Sequence, residues 1–196
     1  PYSAMASWSL SVIPMYLLMG YLAFYAGMTK DAYVTAYKWL GRLPGGLALA
    51  TLTGAAAFGA VCGSSIAATA ALGKICLPEM KRFDYSVRLS AGCVATAGTL
   101  AALIPPSILL VLYGIITEQS VGKLLMAGIL PGLLTMAAYQ ALVLLRAKLN
   151  PALAPMGDPV SWGERFRSLN GVLAIGLIFI IVVGGLYAGL LTPTET

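Results

Sequence analysis

The sequence predicts an all-α, polytopic membrane protein, and three observations carry that prediction. Of 196 residues, 59% are hydrophobic and 10% charged, at a mean hydropathy of +0.88, whereas soluble domains are about 25% charged. The charges cluster, leaving charge-free tracts at 1–29, 43–73, 89–117, 124–145 and 168–194. About 20 apolar residues cross a bilayer, so each tract is long enough to be embedded in one. Finally, two of the tracts are interrupted at their middles by polar or proline-rich turns.

These observations exclude a water-soluble domain, a disordered chain and a nucleic-acid binder, and the net charge of +5 reads as membrane topology. His is absent, which removes His-ligated metal sites and Ser-His or Cys-His catalysis. Asp31, Asp84 and Asp158 all fall between tracts, so no intramembrane aspartyl pair exists and an enzyme is not expected. Cys62, Cys76 and Cys93 read as buried packing residues.

The first segment, 1–43, reads as a transmembrane helix followed by an amphipathic helix in the interface. Tyr33, Tyr37 and Leu40 share one helical stripe and Asp31, Thr35, Lys38 and Arg42 another, with Trp39 at headgroup depth. Residues 44–77 are too long for one crossing and short for two, and Gly63-Ser64-Ser65 is the natural reversal, which predicts a re-entrant hairpin. Residues 78–120 are also over-long and broken at Leu103-Ile104-Pro105-Pro106-Ser107. Tandem prolines remove two backbone donors and push the preceding residue out of helical geometry. Asp84 reads as a cap of the helix after it. A simple span follows at 121–148. The stretch 149–170 reads as a cytoplasmic loop with a short interfacial helix at 161–169, where Ser161 and Glu164 have capping-box spacing. Residues 171–196 form the last span.

Charge bias orients these elements. With 44–77 entering and leaving on one side and 85–116 crossing once, 11 of the 12 Lys/Arg residues share a face and only Lys123 lies opposite. A hairpin at 85–116 would give a poorer split of 8 to 4.

Non-helical backbone at membrane depth persists only where it is buried in protein or lines a hydrated cavity. Paired breaks of this kind point to a transporter binding site. Freed carbonyls and hydroxyls there can hold a cation, and the N-termini of the following half-helices attract an anion. No tract core contains a charged residue, so Na⁺ held by neutral oxygens fits better than proton coupling through a buried carboxylate. Two plainer readings stay open on local sequence: Gly59, Gly63, Ala67 and Ala71 have the spacing of close helix packing, and Pro105-Pro106 has the chemistry of a structural kink.

An ordered series of motifs carries a family resemblance along nearly the whole chain. It runs Gly41-Arg42-Leu43-Pro44-Gly45-Gly46-Leu47-Ala48, Gly63-Ser64-Ser65, Pro78-Glu79-Met80, Gly98-Thr99-Leu100, Leu103-Ile104-Pro105-Pro106-Ser107 and Tyr113-Gly114. It continues with Gly122-Lys123-Leu124, Ala127-Gly128-Ile129-Leu130-Pro131-Gly132 and Thr192-Pro193-Thr194-Glu195. The chain resembles the large membrane subunit (DctM type) of tripartite ATP-independent periplasmic (TRAP) transporters.

The resemblance implies a bacterial inner-membrane secondary transporter that uses a Na⁺ gradient to import organic acid anions of the C4-dicarboxylate or sialic-acid class. It implies a periplasmic substrate-binding protein and a small TRAP membrane subunit as partners, the latter sometimes fused. The implied fold is an elevator of two inverted repeats, of which this chain would hold one half, so a longer parent is expected and the fragment alone is not expected to transport. Carried over to this sequence, Gly63, Ser64, Ser65, Thr99, Ile104 and Pro105 would hold Na⁺, while Ser65, Pro106 and Ser107 would face the substrate. The chain departs from the family where a tip hydroxyl expected at position 68 is found at Thr69, and where Ala101 replaces a glycine. The competing expectation is a non-transporting membrane scaffold that retains the fold.

Overall fold

The computed structural model describes residues 12–188, which are almost entirely helical and contain no strand. The helices are α1 (Val12–Tyr25), α2 (Met28–Leu40), α3 (Gly46–Cys62), α4 (Ser65–Arg82), α5 (Val87–Leu103), α6 (Ile108–Ile116), α7 (Val121–Leu149) and α8 (Trp162–Tyr187). Among the described residues, α7 and α8 are long and apolar enough to cross a membrane, and α5 with α6, bent by 46°, makes a third such passage. The beginning of the first tract and Thr192-Pro193-Thr194-Glu195 lie outside the described residues.

Helix α3 is the centre of the molecule. Its sequence is apolar on every side, and a helix of that kind is stable only when surrounded; every residue but Thr53 and Ala57 is buried. Its neighbours reveal its direction. Leu47 at its start bonds Tyr85, and Gly59 near its end lies against Ala101, so α3 ascends beside α5. Helix α4 descends beside the same helix, with Gly98 close to Thr69 and Val94 close to Gly73. Together α3 and α4 therefore form a helical hairpin whose two feet meet near Tyr85 and whose tip is Gly63-Ser64.

Three boundaries and one cap differ from expectation. The descending arm does not stop at 77 but runs through Pro78 to Arg82. Pro78 removes one donor in the exposed last turns, where water can satisfy the freed carbonyl. Helix α2 does not turn its polar stripe to solvent. Thr35 donates to the Ser168 carbonyl at 2.8 Å, Asp31 lies against Gly171, and Trp39 meets Phe166 edge-on at 5.8 Å. The stripe thus faces α8, which runs antiparallel to it. The helix expected at 161–169 is not separate; it is the first part of α8, because nothing between Leu169 and Gly171 breaks helical geometry. Its capping box does form, the Ser161 and Glu164 backbone N–H groups donating at 3.3 Å to Glu164 Oε2 and Ser161 Oγ respectively. Asp84 sits in the left-handed region at φ 55, in the turn itself, and Ser86 holds the cap position.

The connector between α7 and α8 ties the base together. Gly45 and Ser86 donate to the Ala154 and Leu153 carbonyls, and Gly157 donates to Gly41. The Tyr85 hydroxyl accepts from Leu47 N–H at 3.2 Å and donates to the Pro155 carbonyl at 2.8 Å, capping α3 from a different element. Burial pushes the Tyr85 phenol up to about 12, so it keeps the proton that it donates. Cys62, Cys76 and Cys93 are buried free thiols.

Candidate functional site: the junction of two helix breaks

The hairpin tip forms because Gly63 takes a left-handed conformation at φ 60, ending α3, and the extended Ser64 starts α4. The Ser64 hydroxyl accepts from Ala67 N–H at 3.3 Å, the interaction that makes serine a favoured helix start. Ser65 follows as the first residue of α4. Its hydroxyl makes no hydrogen bond among the described residues, and its side chain is partly exposed.

The second break is built the same way. Helix α5 ends at Leu103, Ile104 turns extended, Pro105-Pro106 follows, and the extended Ser107 starts α6. Neither proline can donate, so the Ala101 and Ala102 carbonyls lose the partners that a continuous helix would give them. Ser107 replaces one of those partners by donating its hydroxyl to the Ala102 carbonyl, while accepting from Leu110 N–H at 3.3 Å. It is fully buried. Its hydroxyl therefore splints the break from inside.

The two breaks touch. Ile108 N–H donates to the Gly63 carbonyl at 3.2 Å, and a Cβ added at Gly63 would stand 2.6 Å from the Pro106 carbonyl oxygen. Only a glycine admits both this approach and the positive φ. The C-termini of α3 and α5 and the N-termini of α4 and α6 thus converge, placing carbonyl oxygens and N–H ends of opposite polarity around one point. None of the residues forming the junction is charged.

Of the residues singled out from sequence, Gly63, Pro106 and Ser107 come together directly, with Ser64, Ser65, Ile104 and Pro105 as their chain neighbours. The Thr99 hydroxyl points elsewhere. It donates to the Thr96 carbonyl at 2.7 Å and lies 3.3 Å from the Tyr139 hydroxyl of α7. Thr69 faces Gly98, and its hydroxyl is bonded to the Ser65 carbonyl at 2.8 Å. Of the two plainer readings, Gly59 does serve close packing, with a Cβ there standing 2.6 Å from Ala101 Cα.

Sequence reasoning missed the far wall of the junction. Gly128 and Gly132 of α7 press against Leu103 and Ile104: a Cβ at Gly128 would stand 2.8 Å from the Leu103 carbonyl oxygen, and one at Gly132 would stand 2.9 Å from Ile104 Cγ1. Their four-residue spacing was the available signal. On α7, Gln140 also donates to Thr53 of α3 at 2.9 Å.

The family described as the DctM component of tripartite ATP-independent periplasmic transporters matches residues 2–196. Over 188 residues the chain is 38% identical to the C4-dicarboxylate TRAP transporter large permease protein DctM of Pseudomonas aeruginosa, covering 96% of this chain and 44% of that protein. It is 33% identical over 187 residues to the ectoine TRAP transporter large permease protein TeaC of Halomonas elongata, with coverages of 95% and 43%. It is 34% identical over 203 residues to the isethionate TRAP transporter permease protein DctMQ of Oleidesulfovibrio alaskensis, with coverages of 99% and 30%. The chain spans less than half the length of these relatives.

Proposed function

The chain belongs to the DctM-component family of TRAP transporters, a family of inner-membrane permeases rather than enzymes, and from that premise we propose that its joined breaks form one cation-coupling half of an organic-anion importer. The observation that supports this reading is the bond from Ile108 N–H to the Gly63 carbonyl, which makes two interrupted helices one site. Carbonyl oxygens at the ends of α3 and α5, with the free Ser65 hydroxyl, supply neutral oxygens suited to a small hard cation such as Na⁺. A cation seated there strengthens the pull of the α4 and α6 N-termini on an anion. Substrate meets the Ser65 and Pro106 side of the junction, and charge neutralisation by the ion couples the two. Ser64, Ile104 and Pro105 shape the ion's surroundings, Ser107 holds them in place, and Thr99 contributes through helix packing.

The substrate class stays broad in this reading, an organic acid anion or a related zwitterion, since the relatives are named for C4-dicarboxylate, isethionate and ectoine. A small membrane subunit and a periplasmic binding protein complete the system, and the hairpin with its broken helix moves as an elevator. The test is uptake of labelled organic acids by the whole permease in proteoliposomes, with small subunit and binding protein present, under an inward Na⁺ or K⁺ gradient. Uptake that requires Na⁺ and the binding protein supports the reading. Equal uptake in K⁺ removes Na⁺ coupling, and no uptake of any substrate by well-folded protein favours the scaffold.

A further inference from the structure

A groove of about 430 Å³ runs between α5 and α7 at the base of the molecule, away from the junction. Its walls are apolar, formed chiefly by Leu89, Leu142 and Val143, with Tyr139 among the lining residues. Two arginines line it as well: Arg88, in the first turn of α5, and Arg146, in the last turn of α7. Both are exposed, neither makes an ion pair among the described residues, and no acidic residue lines the groove. They belong to the basic set that charge bias places on the cytoplasmic face.

We propose that this groove is a binding site for an anionic phospholipid of the cytoplasmic leaflet, with Arg88 and Arg146 holding the headgroup phosphate and Leu89, Leu142 and Val143 packing an acyl chain. Guanidinium groups match phosphate oxygens with paired donors. A basic pocket between transmembrane helices at the cytoplasmic interface presents the charge and the apolar surface in the order that a lipid presents its own. Unpaired arginines above an apolar wall suit neither a neutral lipid nor a purely apolar helix, either of which would leave both charges without a partner.

The experiment uses the whole permease carrying this chain, purified in mild detergent and offered an equal mixture of phosphatidylglycerol and phosphatidylcholine with identical acyl chains. Lipid retained is read by native mass spectrometry. Wild type should retain phosphatidylglycerol preferentially, and R88Q and R146Q should each lower that retention roughly fivefold, with phosphatidylcholine unchanged. Arg82→Gln, outside the groove, should leave both unchanged. Should the double variant fail to remain monodisperse, Leu142→Trp keeps both charges, fills the groove and should lower retention of both lipids. A photoreactive acyl chain should label the peptides 86–96 and 139–146. Equal retention of the two lipids by wild type, undiminished phosphatidylglycerol on R88Q/R146Q, or cross-linking of those peptides to another protein segment instead of lipid would each overturn the proposal. None of these readouts depends on transport.

Discussion

Ile108 N–H is hydrogen-bonded to the Gly63 carbonyl at 3.2 Å, so the tip of the hairpin and the second half of the broken helix hold one another. The bond joins residues from two different interruptions, and it uses a donor that exists only because a new helix begins at Ile108.

Gly63→Ala tests that contact. The substitution places a Cβ 2.6 Å from the Pro106 carbonyl oxygen and forces a non-glycine residue to φ 60. The left-handed conformation alone costs about 1 to 2 kcal/mol, and relieving the clash separates the breaks. A lower melting temperature and loss of cation-dependent uptake are expected. Unchanged values for both would show that the breaks do not need to touch.

Ser107→Ala and Ser65→Ala should separate structure from ion binding. Ser107 splints its break with two hydrogen bonds, so its loss should destabilise the protein by about 1 to 2 kcal/mol. Ser65 donates to nothing in the protein, so Ser65→Ala should leave the melting temperature within about 2 °C while raising the Na⁺ concentration needed for half-maximal uptake. The reverse pattern would exchange the two roles.

Thr99→Val should leave Na⁺ dependence unchanged, because the Thr99 hydroxyl is directed to Thr96 and Tyr139. A shift in the Na⁺ dependence of uptake, with Tyr139→Phe as the control for the lost α5–α7 contact, would return Thr99 to the ion site.

Gly98→Ala should push α4 from α5, since its Cβ would overlap the Thr69 hydroxyl and stand 3.1 Å from the Ser65 carbonyl oxygen. Overpacking of this kind costs about 1 to 3 kcal/mol. Thr69→Ala in the same protein removes the nearer clash and should recover part of the loss in thermal unfolding. No recovery would place the strain at the Ser65 carbonyl.

Tyr85→Phe removes both bonds of the hydroxyl and should destabilise the base by about 1 to 2 kcal/mol. The phenol is raised in the folded protein from its ordinary value of 10.0 to about 12. Its contribution is therefore fully present below pH 10 and is lost as pH rises toward 12. Wild type, but not the Phe variant, should show this component when thermal stability is followed through that range.

The helices were legible because burial demands leave a strong trace: α3 is apolar on all sides, and both breaks are marked by residues that cannot continue a helix. The Ser161–Glu164 box was legible for the same local reason. The Thr35 contact was not, because a threonine on a polar stripe looks alike whether it meets water or the Ser168 carbonyl. The continuity of α8 was hidden by a change of composition near Asn170 that has no backbone consequence. At the site, glycine, serine and proline marked the positions, but side-chain direction did not follow. Thr99 sits one residue from Gly98, and about 100° of helical rotation carries its hydroxyl to a different neighbour. Gly128 and Gly132 were overlooked because a pair of small residues does not name the backbone it will meet.

The connector 150–158 gives the hairpin the statics of a tied arch. Its feet, at Gly45 and Ser86, are fastened to the same short tie through Ala154 and Leu153, and the tie is anchored again at Gly41 through Gly157. A tied arch does not fail by spreading at its supports. A push on the crown at Gly63 is resolved into thrust along α3 and α4 and tension in the tie, which hands that tension on to α7 and α8. The span can then shift as a whole while its crown keeps its shape.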